Sequence, residues 1–464
     1  MAKTKDYIVI ASLFLVFSIA YAFLFIAKHD WQFQTFGLDS GFFHQVLWLA
    51  SRGNFGQSTI YNHSIMSSNF EPILFLLAPL IKVWPDVRLL FIIQATVAVS
   101  AVIPLYLLAK KISGSLAFSA AIILAYSLLV PFQHAILDGF TQSFFVAPIL
   151  AWAYYFLATN NRMYWCSVLG LIATKEEFSL FLVPFGISVA IFYRQWRTGL
   201  VTAITGVVVF WFLIYLLNPI VSPGVRNWAH YDQGYGAGGA NPESVVKNIL
   251  GKPVDYAVML VNDVQKRETI FLHQASFGFL PLLSPALLLP VAYEYFVRFI
   301  NTDQIVKWRA HDFNFGVVLV VSAIYGARQL ARKVNYRYLA LFLVISTFLA
   351  DFVYHGPINS LLKRDFYYQP QWAKDNQAII KLVPPDMPIS ANNSLVPHLS
   401  DRQKIYLWPN VADAKYIILD LRDHPNAFAP VSFEKSKELV DKLLTEKSFK
   451  IKAKIGQAMI LERL

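Results

Sequence analysis

The chain has 464 residues, of which 56% are hydrophobic, 16% aromatic and 15% charged. Ordinary soluble domains are about 45–50% apolar and about 25% charged, so this composition excludes a soluble globular protein as well as disordered, fibrous and disulfide-scaffold proteins. The net charge of +11 does not indicate nucleic-acid binding, because Lys and Arg beside apolar segments act as topology signals and contact anionic lipids.

Charged residues are unevenly distributed along the chain. Residues 355–464 contain 16 Lys and Arg and 12 Asp and Glu, whereas the 354 residues before them contain 24 and 17. The tail therefore has the composition of a soluble domain, and the long apolar part before it that of a membrane-embedded one. We predict an α-helical polytopic membrane domain over residues 1–354 and a small extracytoplasmic α/β domain over residues 355–464.

The first apolar segment, residues 7–27, follows Lys3 and Lys5 and is long enough to cross a hydrocarbon core of about 30 Å. The next spanning segment, residues 89–109, ends at Lys110 and Lys111. Because basic residues favour the cytoplasmic side, the N-terminus and this lysine pair are both predicted to be cytoplasmic. Residues 29–88 then form an outer loop, within which residues 72–83 are apolar but too short to span.

Basic turns mark the inner side along the rest of the apolar region. They place a second outer loop at residues 218–269 and a proline-broken hairpin around Pro285. With the first two segments, the total is about eleven crossings of the plasma (inner) membrane, with the tail outside. The further segments are residues 116–131, 144–158, 164–174, 178–192, 200–217, 270–283, 285–297, 315–325 and 338–352.

The tail has the pattern of a folded α/β domain. Runs at residues 388–391, 404–408 and 414–421 predict short strands, of which the third (AKYIILDL) is apolar enough to be buried. Ser432 is placed to cap a helix that continues to Leu444 with its apolar residues on one face. Residues 449–455 and 458–462 predict a closing hairpin.

Ionisable side chains gather on the side of the membrane predicted to be outer. Charges at the edge of a bilayer are unfavourable unless they pair or face a wet cavity, so a one-sided group indicates a functional site. The alternative is that outer loops are simply polar. The group comprises Asp39, His44, His63, Glu71, Asp138, Lys175, Glu176, Glu177, His311 and Asp312.

Several motifs resemble a prokaryotic family of predicted multispanning membrane proteins, named as domain of unknown function 2079. They follow in order over most of the chain as residues 37–48 (GLDSGFFHQVLW), 62–63 (NH), 70–74 (FEPIL), 175–177 (KEE), 278–285 (GFLPLLSP) and 389–400 (ISANNSLVPHLS). In architecture and in an early acidic residue of the first outer loop, that family resembles the C-type glycosyltransferases, which include the protein O-mannosyltransferases and the lipid A aminoarabinose transferase. Relatives often carry His and acidic residues where this chain has residues 138–142 (DGFTQ), and a His near Phe70.

The resemblance implies an integral-membrane enzyme that moves a sugar, with inversion, from a polyprenyl-phosphate donor to a glycan, lipid or protein acceptor on the outer face. Asp39 matches the early acid and is the candidate general base, because a carboxylate within hydrogen-bond reach can take the acceptor proton. The alternative is that Asp39 caps a helix over residues 40–50. Lys175 is the candidate for binding the lipid phosphate, since a fixed cation stabilises charge on the leaving group, and its alternative is an ion pair with Glu176 or Glu177.

Other outer residues are predicted to complete the site. His63, Arg309 and His311 are candidates for binding phosphate or sugar oxygens. Supporting or acidic roles are predicted for Glu71, Asp138, Glu176, Glu177 and His44. An alternative arrangement is a site for a divalent cation, Mg²⁺ or Mn²⁺, with oxygen ligands from Asp39, Glu71 and Asp138, although no spacing in the sequence requires one.

Two further interpretations of the sequence stay open beside the transferase. One is a transporter or lipid flippase, although transporters usually contain repeats around a site near mid-membrane, and no repeat is evident. The other is a non-catalytic membrane assembly protein on the same scaffold, because a fold does not by itself imply an activity.

Overall fold

The computed structural model describes residues 4–61, 64–221, 242–300, 313–422 and 429–464, most of which are helical. Helices dominate because a chain that crosses lipid must satisfy its backbone N–H and C=O groups internally. The α-helices are α1 (Thr4–Asp30), α2 (Phe42–Ala50), α3 (Ile65–Ser68), α4 (Ala78–Val83), α5 (Val87–Val99), α6 (Val102–Ser113), α7 (Leu116–Ser127), α8 (Val130–Leu137), α9 (Val146–Ala158), α10 (Tyr164–Thr174), α11 (Glu176–Phe192), α12 (Trp196–Phe212), α13 (Asn218–Val221), α14 (Pro242–Gly251), α15 (Pro253–Met259), α16 (Val264–Ala275), α17 (Leu289–Ile300), α18 (Phe313–Leu330), α19 (Tyr336–Val353), α20 (Gln371–Ile380) and α21 (Phe433–Thr445).

Helix length and composition identify the segments able to cross a bilayer. In the described part of the chain five qualify, and a sixth is added if α7 and α8, which meet at a bend of 48°, count as one span. The predicted helical body is confirmed, but the total of about eleven crossings stays a prediction, because several apolar helices are too short to decide. The five are Thr4–Asp30, Val87–Ser113, Trp196–Leu217, Phe313–Leu330 and Tyr336–Val353.

Helix α18 lies at the centre of the bundle. Of its most apolar stretch, 83% is buried inside the protein, against 33% for α1 and 22% for the segment Trp196–Leu217. The less buried helices present apolar faces outward, where lipid rather than protein would cover them. The helical part is therefore a bundle arranged around one internal helix.

Ion pairs at both ends join α1 to the antiparallel segment formed by α5 and α6. Lys110 Nζ lies 3.0 Å from Asp6 Oδ1 at one end, and Arg88 Nη2 lies 2.7 Å from Asp30 Oδ1 at the other. We call these the Lys110 end and the Asp30 end of the bundle. The tail packs at the Asp30 end, where Gln377 Nε2 donates to the Asp30 carbonyl at 2.8 Å.

The pair α11 and α12 shows close helix packing. Gly186 lies against the carbonyl of Gly199, and Gly199 lies against the carbonyl of Gly186. A side chain at either position would overlap the facing backbone, so glycine is what allows the two helices to approach. Small residues serve the same purpose in other membrane helix pairs.

The tail contains a five-stranded sheet in the order β2-β1-β3-β5-β4. Strand β1 pairs in parallel with β2 and β3, and β5 pairs antiparallel with β3 and β4. The predicted strands, hairpin and helix are confirmed, and Ser432 Oγ accepts the Lys435 N–H at 3.2 Å as the cap of α21. The strands are β1 (Ile389–Ala391), β2 (Ile405–Leu407), β3 (Tyr416–Asp420), β4 (Phe449–Ile455) and β5 (Ala458–Arg463).

The two faces of this sheet are covered differently. Ile418 and Ile460 belong to the same buried cluster as the membrane helices. Ile417 and Leu461, on the opposite face, pack with Val440 of α21. Burial on both faces explains why β3 is apolar at successive positions. The predicted division between residues 354 and 355 stays a prediction.

Candidate active site

Asp39 lies on a π-helical turn, Gly37–Gly41, that directly precedes α2. The turn packs against the tail so closely that a side chain at Gly37 or Gly41 would overlap Val396. The Gly37 N–H donates to both the carbonyl and the side-chain oxygen of Asn393, each at 2.8 Å. The tail therefore contacts the turn that carries the predicted base.

The Asp39 carboxylate is half-buried and makes no hydrogen bond or ion pair within the described residues. It is not a helix cap, because α2 begins at Phe42 and its first turn has no side-chain cap bond. Burial and the negative charge of Asp138 raise the pKa of Asp39 to about 6, and the positive charge of Lys28 acts against this rise. Asp39 is thus a carboxylate with open acceptor positions that ionises close to neutral pH.

Lys28 supplies the positive charge beside Asp39 and Asp138. It lies near the end of α1, and its Nζ donates to the Leu137 carbonyl at 2.6 Å. Lys28 is not among the residues predicted for the site. The sequence contains one signal for it, because a lysine directly after the first apolar segment, on the predicted outer side, departs from the positive-inside rule.

Residues 138–142 (DGFTQ) connect Asp39 with a second polar group. Gly139 has a φ of +150°, and a Cβ there would lie 3.2 Å from both Cβ and Oδ2 of Asp39. The Phe140 N–H donates to Ser40 Oγ at 3.2 Å. At the far end of the segment, Gln142 Nε2 donates to Glu71 Oε1 at 2.6 Å. The segment that departs from the family pattern is therefore a structural link within the site.

Gln94 of α5 holds this segment in place. Its side-chain amide donates to the carbonyls of Ile136 and Gly139, both at 2.8 Å, and its oxygen accepts the Thr141 N–H at 3.0 Å. All three of these hydrogen bonds go to backbone groups of residues 136–141. A glutamine within an apolar spanning segment is the sequence signal that points to such a role.

The second polar group consists of Glu71, Lys175, Glu176 and Glu177. Lys175 lies in the break between α10 and α11, with its Nζ 3.2 Å from Glu177 Oε2. Glu176 Oε2 accepts the Phe70 N–H at 2.7 Å. Burial raises the pKa of Glu71 well above its usual range, and the charge of Lys175 only partly offsets this. Lys175 thus makes the ion pair named as its alternative, and its phosphate-binding role stays a prediction.

His44 is turned away from Asp39 and toward the tail. It is buried in α2, and its Nδ1 lies 2.8 Å from Ser400 Oγ. Burial lowers the pKa of His44 to about 4, so the ring is neutral. His63, Arg309 and His311 lie outside the described residues, and their roles stay predictions.

Comparison with known proteins identifies the family. Residues 29–457 match the family model described as a predicted membrane protein (DUF2079). The chain belongs to this family. The resemblance seen in its motifs is thereby confirmed. None of the curated proteins matches the chain in sequence.

The fold of this DUF2079 member is that of ArnT, a C-type glycosyltransferase. The crystal structure of ArnT from Cupriavidus metallidurans bound to undecaprenyl phosphate matches with a TM-score of 0.58 and 12% identity, covering 100% of this chain and 99% of that one. The apo state of the same enzyme matches with a TM-score of 0.55 and 12% identity, covering 98% of both chains. The predicted C-type fold, a helical membrane domain with a small C-terminal sheet, is confirmed.

The predicted metal ligands of this DUF2079 member lie in two different surroundings. Asp39 and Asp138 are electrostatic neighbours, whereas Glu71 Oε1 accepts a hydrogen bond from Gln142. Asp39, Asp138 and Glu71 are not among the described His, Cys, Asp and Glu residues whose ligand atoms lie close enough to share an ion. These three residues do not form one close ligand set in the part of the chain that the structure describes, and a Mg²⁺ or Mn²⁺ ion bound by them stays a prediction.

The structure therefore divides the predicted residues into two groups. Asp39 and Asp138 lie together beside Lys28, and Glu71, Lys175, Glu176 and Glu177 lie together at the far end of the DGFTQ segment. In the first group, the half-buried Asp39 carboxylate makes no hydrogen bond within the described residues and lies beside the positive charge of Lys28. Chemically, that group can accept a proton and stabilise a nearby anion.

Proposed function

We propose that this protein is an integral-membrane glycosyltransferase that moves a sugar from a polyprenyl-phosphate donor to an acceptor. The observation that carries the proposal is the half-buried Asp39 carboxylate, which has no hydrogen-bond partner in the described residues and a pKa raised to about 6 by burial and Asp138. Its setting is a fold shared with ArnT, whose crystal structure contains undecaprenyl phosphate.

The reaction begins with Asp39 as the general base. The ionised carboxylate takes the proton of the acceptor hydroxyl as that oxygen attacks the anomeric carbon of the sugar. The bond between the anomeric carbon and the phosphate oxygen breaks, and the polyprenyl phosphate leaves with the bonding electron pair. Attack opposite the leaving group inverts the configuration. General base catalysis of this kind contributes typically about 10²–10⁴-fold to the rate.

Asp138 and Lys28 set the proton affinity of the base. The neighbouring negative charge of Asp138 favours the protonated form of Asp39, and Lys28 favours the ionised form. The balance leaves Asp39 ionised at pH 7 yet basic enough to take a proton. Lys175 is proposed to approach the lipid phosphate from the second group, where a charged lysine would stabilise the departing anion.

The site is proposed to open on the extracytoplasmic side of the plasma (inner) membrane. Lys110 and Lys111 end α6 at the Lys110 end of the bundle, and Asp6 near the N-terminus pairs with Lys110 there. Basic residues favour the cytoplasm, so the Asp30 end, with Asp39 and the tail, is outside. A glycan, lipid or protein acceptor would then reach Asp39 from the tail side.

The proposal is tested by sugar transfer in membranes containing the full chain. We expect radiolabel from a panel of polyprenyl-phosphate monosaccharides to enter an acceptor fraction with the wild-type protein. Asp39→Asn should lower transfer by about 10²-fold or more, since it removes the base but keeps the shape. The matched control is Asp441→Asn, an exposed residue of α21, which should transfer at the wild-type rate.

Binding of the lipid is measured separately with undecaprenyl phosphate itself. Native mass spectrometry of the purified protein should show one bound lipid in the wild type and in Asp39→Asn. Transfer that continues unchanged in Asp39→Asn would remove Asp39 as the base. The transporter interpretation would replace the enzyme interpretation if the protein neither bound undecaprenyl phosphate nor transferred label, but produced measurable lipid or solute flux in proteoliposomes.

A further inference from the structure

A cavity of about 500 Å³ lies between the bundle and the tail at the Asp30 end. Its wall contains three histidines from distant parts of the sequence: His29 at the end of α1, His44 in α2 and His398 in the tail. None of them takes part in the transfer reaction proposed above.

Three ligand-type side chains meet in this wall. One atom each from His29, Asp30 and His398 can be chosen so that all lie within 4.8 Å of one another. His29 Nε2 lies 3.9 Å from Asp30 Oδ1, and the rings of His29 and His398 are nearly parallel with centroids 3.7 Å apart. Ligand atoms of a tetrahedral zinc ion are about 3.4 Å apart.

The hydrogen bonds leave ring nitrogens available for a ligand. His29 Nδ1 lies 2.7 Å from Thr35 Oγ1, so its second nitrogen is the one that faces Asp30. His398 Nε2 is buried without any hydrogen-bond partner. A metal-binding histidine usually fixes one ring nitrogen by a hydrogen bond and coordinates with the other.

His44 gives a second, independent indication at the same cavity. Its side chain is 2% exposed, and its Nε2 has no hydrogen-bond partner. Its Nδ1 is 2.8 Å from Ser400 Oγ, and this hydroxyl donates to the Pro397 carbonyl. Because the serine proton is used there, the imidazole proton must be on Nδ1. The buried Nε2 therefore presents a lone pair, which is the form that binds a metal.

The charges around the cavity accommodate a cation. Asp30, Asp86 and Asp401 line it together with Arg88 and Lys381. Arg88 is already engaged by two carboxylates, at 2.7 Å from Asp30 and 2.6 Å from Asp86. The ligand types decide the kind of ion, because imidazole with a carboxylate suits zinc and related transition metals, whereas Ca²⁺ and Mg²⁺ prefer oxygen ligands throughout.

We propose that His29, Asp30 and His398 bind one divalent transition-metal ion, of which Zn²⁺ is the best fit, at the cavity that His44 also lines. The ion would join the end of the first membrane helix to the tail, since two ligands belong to α1 and one to the turn Val396–Leu399. This site is separate from Asp39 and does not depend on the proposed transferase activity.

The proposal is tested by measuring the metal content of the purified protein. After removal of metals with EDTA, reconstitution with Zn²⁺ and desalting, mass spectrometry of the elements should find about one zinc per chain. His398→Asn should reduce this to a small fraction. The matched control is His355→Asn, because His355 is exposed and lies outside the cavity wall, and it should retain the wild-type zinc content.

A second measurement uses the wild-type protein alone and so does not depend on a variant that folds. Reconstitution with Co²⁺ should produce the intense visible absorption of a tetrahedral ion with nitrogen ligands, and Zn²⁺ should displace it. Wild-type protein that binds neither metal would overturn the proposal. Equal zinc content in His398→Asn and wild type would overturn it as well, since the ion would then be held elsewhere.

Discussion

The N–H of Gly37 donates to two oxygens of Asn393, a residue 356 positions further along the chain, at 2.8 Å each. The same Asn393 side chain accepts the N–H of Leu38 at 3.3 Å. These contacts place a residue of the tail directly against the turn that carries Asp39. The tail therefore helps to position the turn of the proposed base.

Asn393→Ala should reduce transfer while leaving most of the protein folded. The Leu38 N–H then loses its partner and Gly37 keeps only the carbonyl, so the Asp39 turn is held less firmly. We expect a loss of stability of about 1–2 kcal/mol and about a tenfold lower rate of sugar transfer. The measurements are thermal unfolding in detergent and transfer of radiolabelled sugar.

The control for this variant is Asn410→Ala, an exposed asparagine in the same part of the tail. It should leave both transfer and thermal unfolding unchanged. If Asn393→Ala also transferred sugar at the wild-type rate, the tail would not be positioning Asp39.

Gly139→Ala should disturb Asp39 directly. The residue has a φ of +150°, and the added Cβ would be 3.2 Å from Asp39 Cβ and Oδ2. A non-glycine residue in this region of φ is strained by about 1–3 kcal/mol, and the close contact must push the Asp39 side chain aside. We expect transfer to fall by about 10²-fold.

Gly53→Ala separates backbone strain from contact with Asp39. Gly53 also has a positive φ, +93°, but a Cβ there meets no atom within 4 Å. It should lower thermal stability and leave transfer nearly intact. Equal loss of transfer in the two variants would show that the effect of Gly139→Ala comes from destabilisation alone.

The rate of transfer should rise with pH through about 6. Burial and Asp138 raise the pKa of Asp39 to about 6, and only the ionised carboxylate can take the acceptor proton. The measurement is transfer under saturating donor between pH 5 and pH 8. Asp138→Asn should move the midpoint of this profile to lower pH, because it removes the negative charge that favours protonated Asp39. A midpoint that is unchanged in Asp138→Asn would contradict this coupling.

The raised pKa of Asp39 also makes the thermal stability of the protein depend on pH. The pKa of Asp39 rises from 3.8 to about 6 on folding. The contribution of Asp39 to the free energy of unfolding is therefore fully favourable below pH 3.8 and is lost as the pH increases through 6. Asp39→Asn cannot ionise and should therefore unfold at a higher temperature than wild type above pH 6, with a smaller dependence on pH between 4 and 6. Identical pH dependence of the two proteins would indicate that Asp39 is solvated as in water.

Glu71 and Gln142 should respond differently to substitution. Burial raises the pKa of Glu71, and its Oε1 accepts the Gln142 amide at 2.6 Å. A protonated Glu71 is close in shape and charge to glutamine, so Glu71→Gln should change the free energy of unfolding by less than about 0.5 kcal/mol. Gln142→Leu removes the partner of the buried Glu71 Oε1 and should cost about 1–3 kcal/mol. Thermal or denaturant unfolding compares the stability of the two variants. Equal losses of free energy of unfolding in Glu71→Gln and Gln142→Leu would mean that Glu71 is ionised.

The sequence predicted several parts of the site by residue type, but not how they are grouped. Asp39, Asp138, Glu71 and Lys175 are visible as charges at the edges of apolar segments. That Asp138 lies beside Asp39, while Glu71 lies with Lys175, follows from the DGFTQ segment crossing between them. The tail motif at residues 389–400 is visible as a family resemblance, yet its contact with the Asp39 turn depends on packing between elements hundreds of residues apart.

The sequence by itself determined the helical membrane body, the small sheet domain and the presence of acids and bases at the ends of apolar segments. These follow from the length of apolar runs, the alternation of strand residues and the position of Lys and Arg, all of which are properties of neighbouring residues. Only the tertiary structure decided that Asp39 has open acceptor positions, that Lys28 faces it and that three histidines share one cavity. Those relationships depend on which helix ends and loops pack together, and the free energy of that packing is distributed over the whole chain.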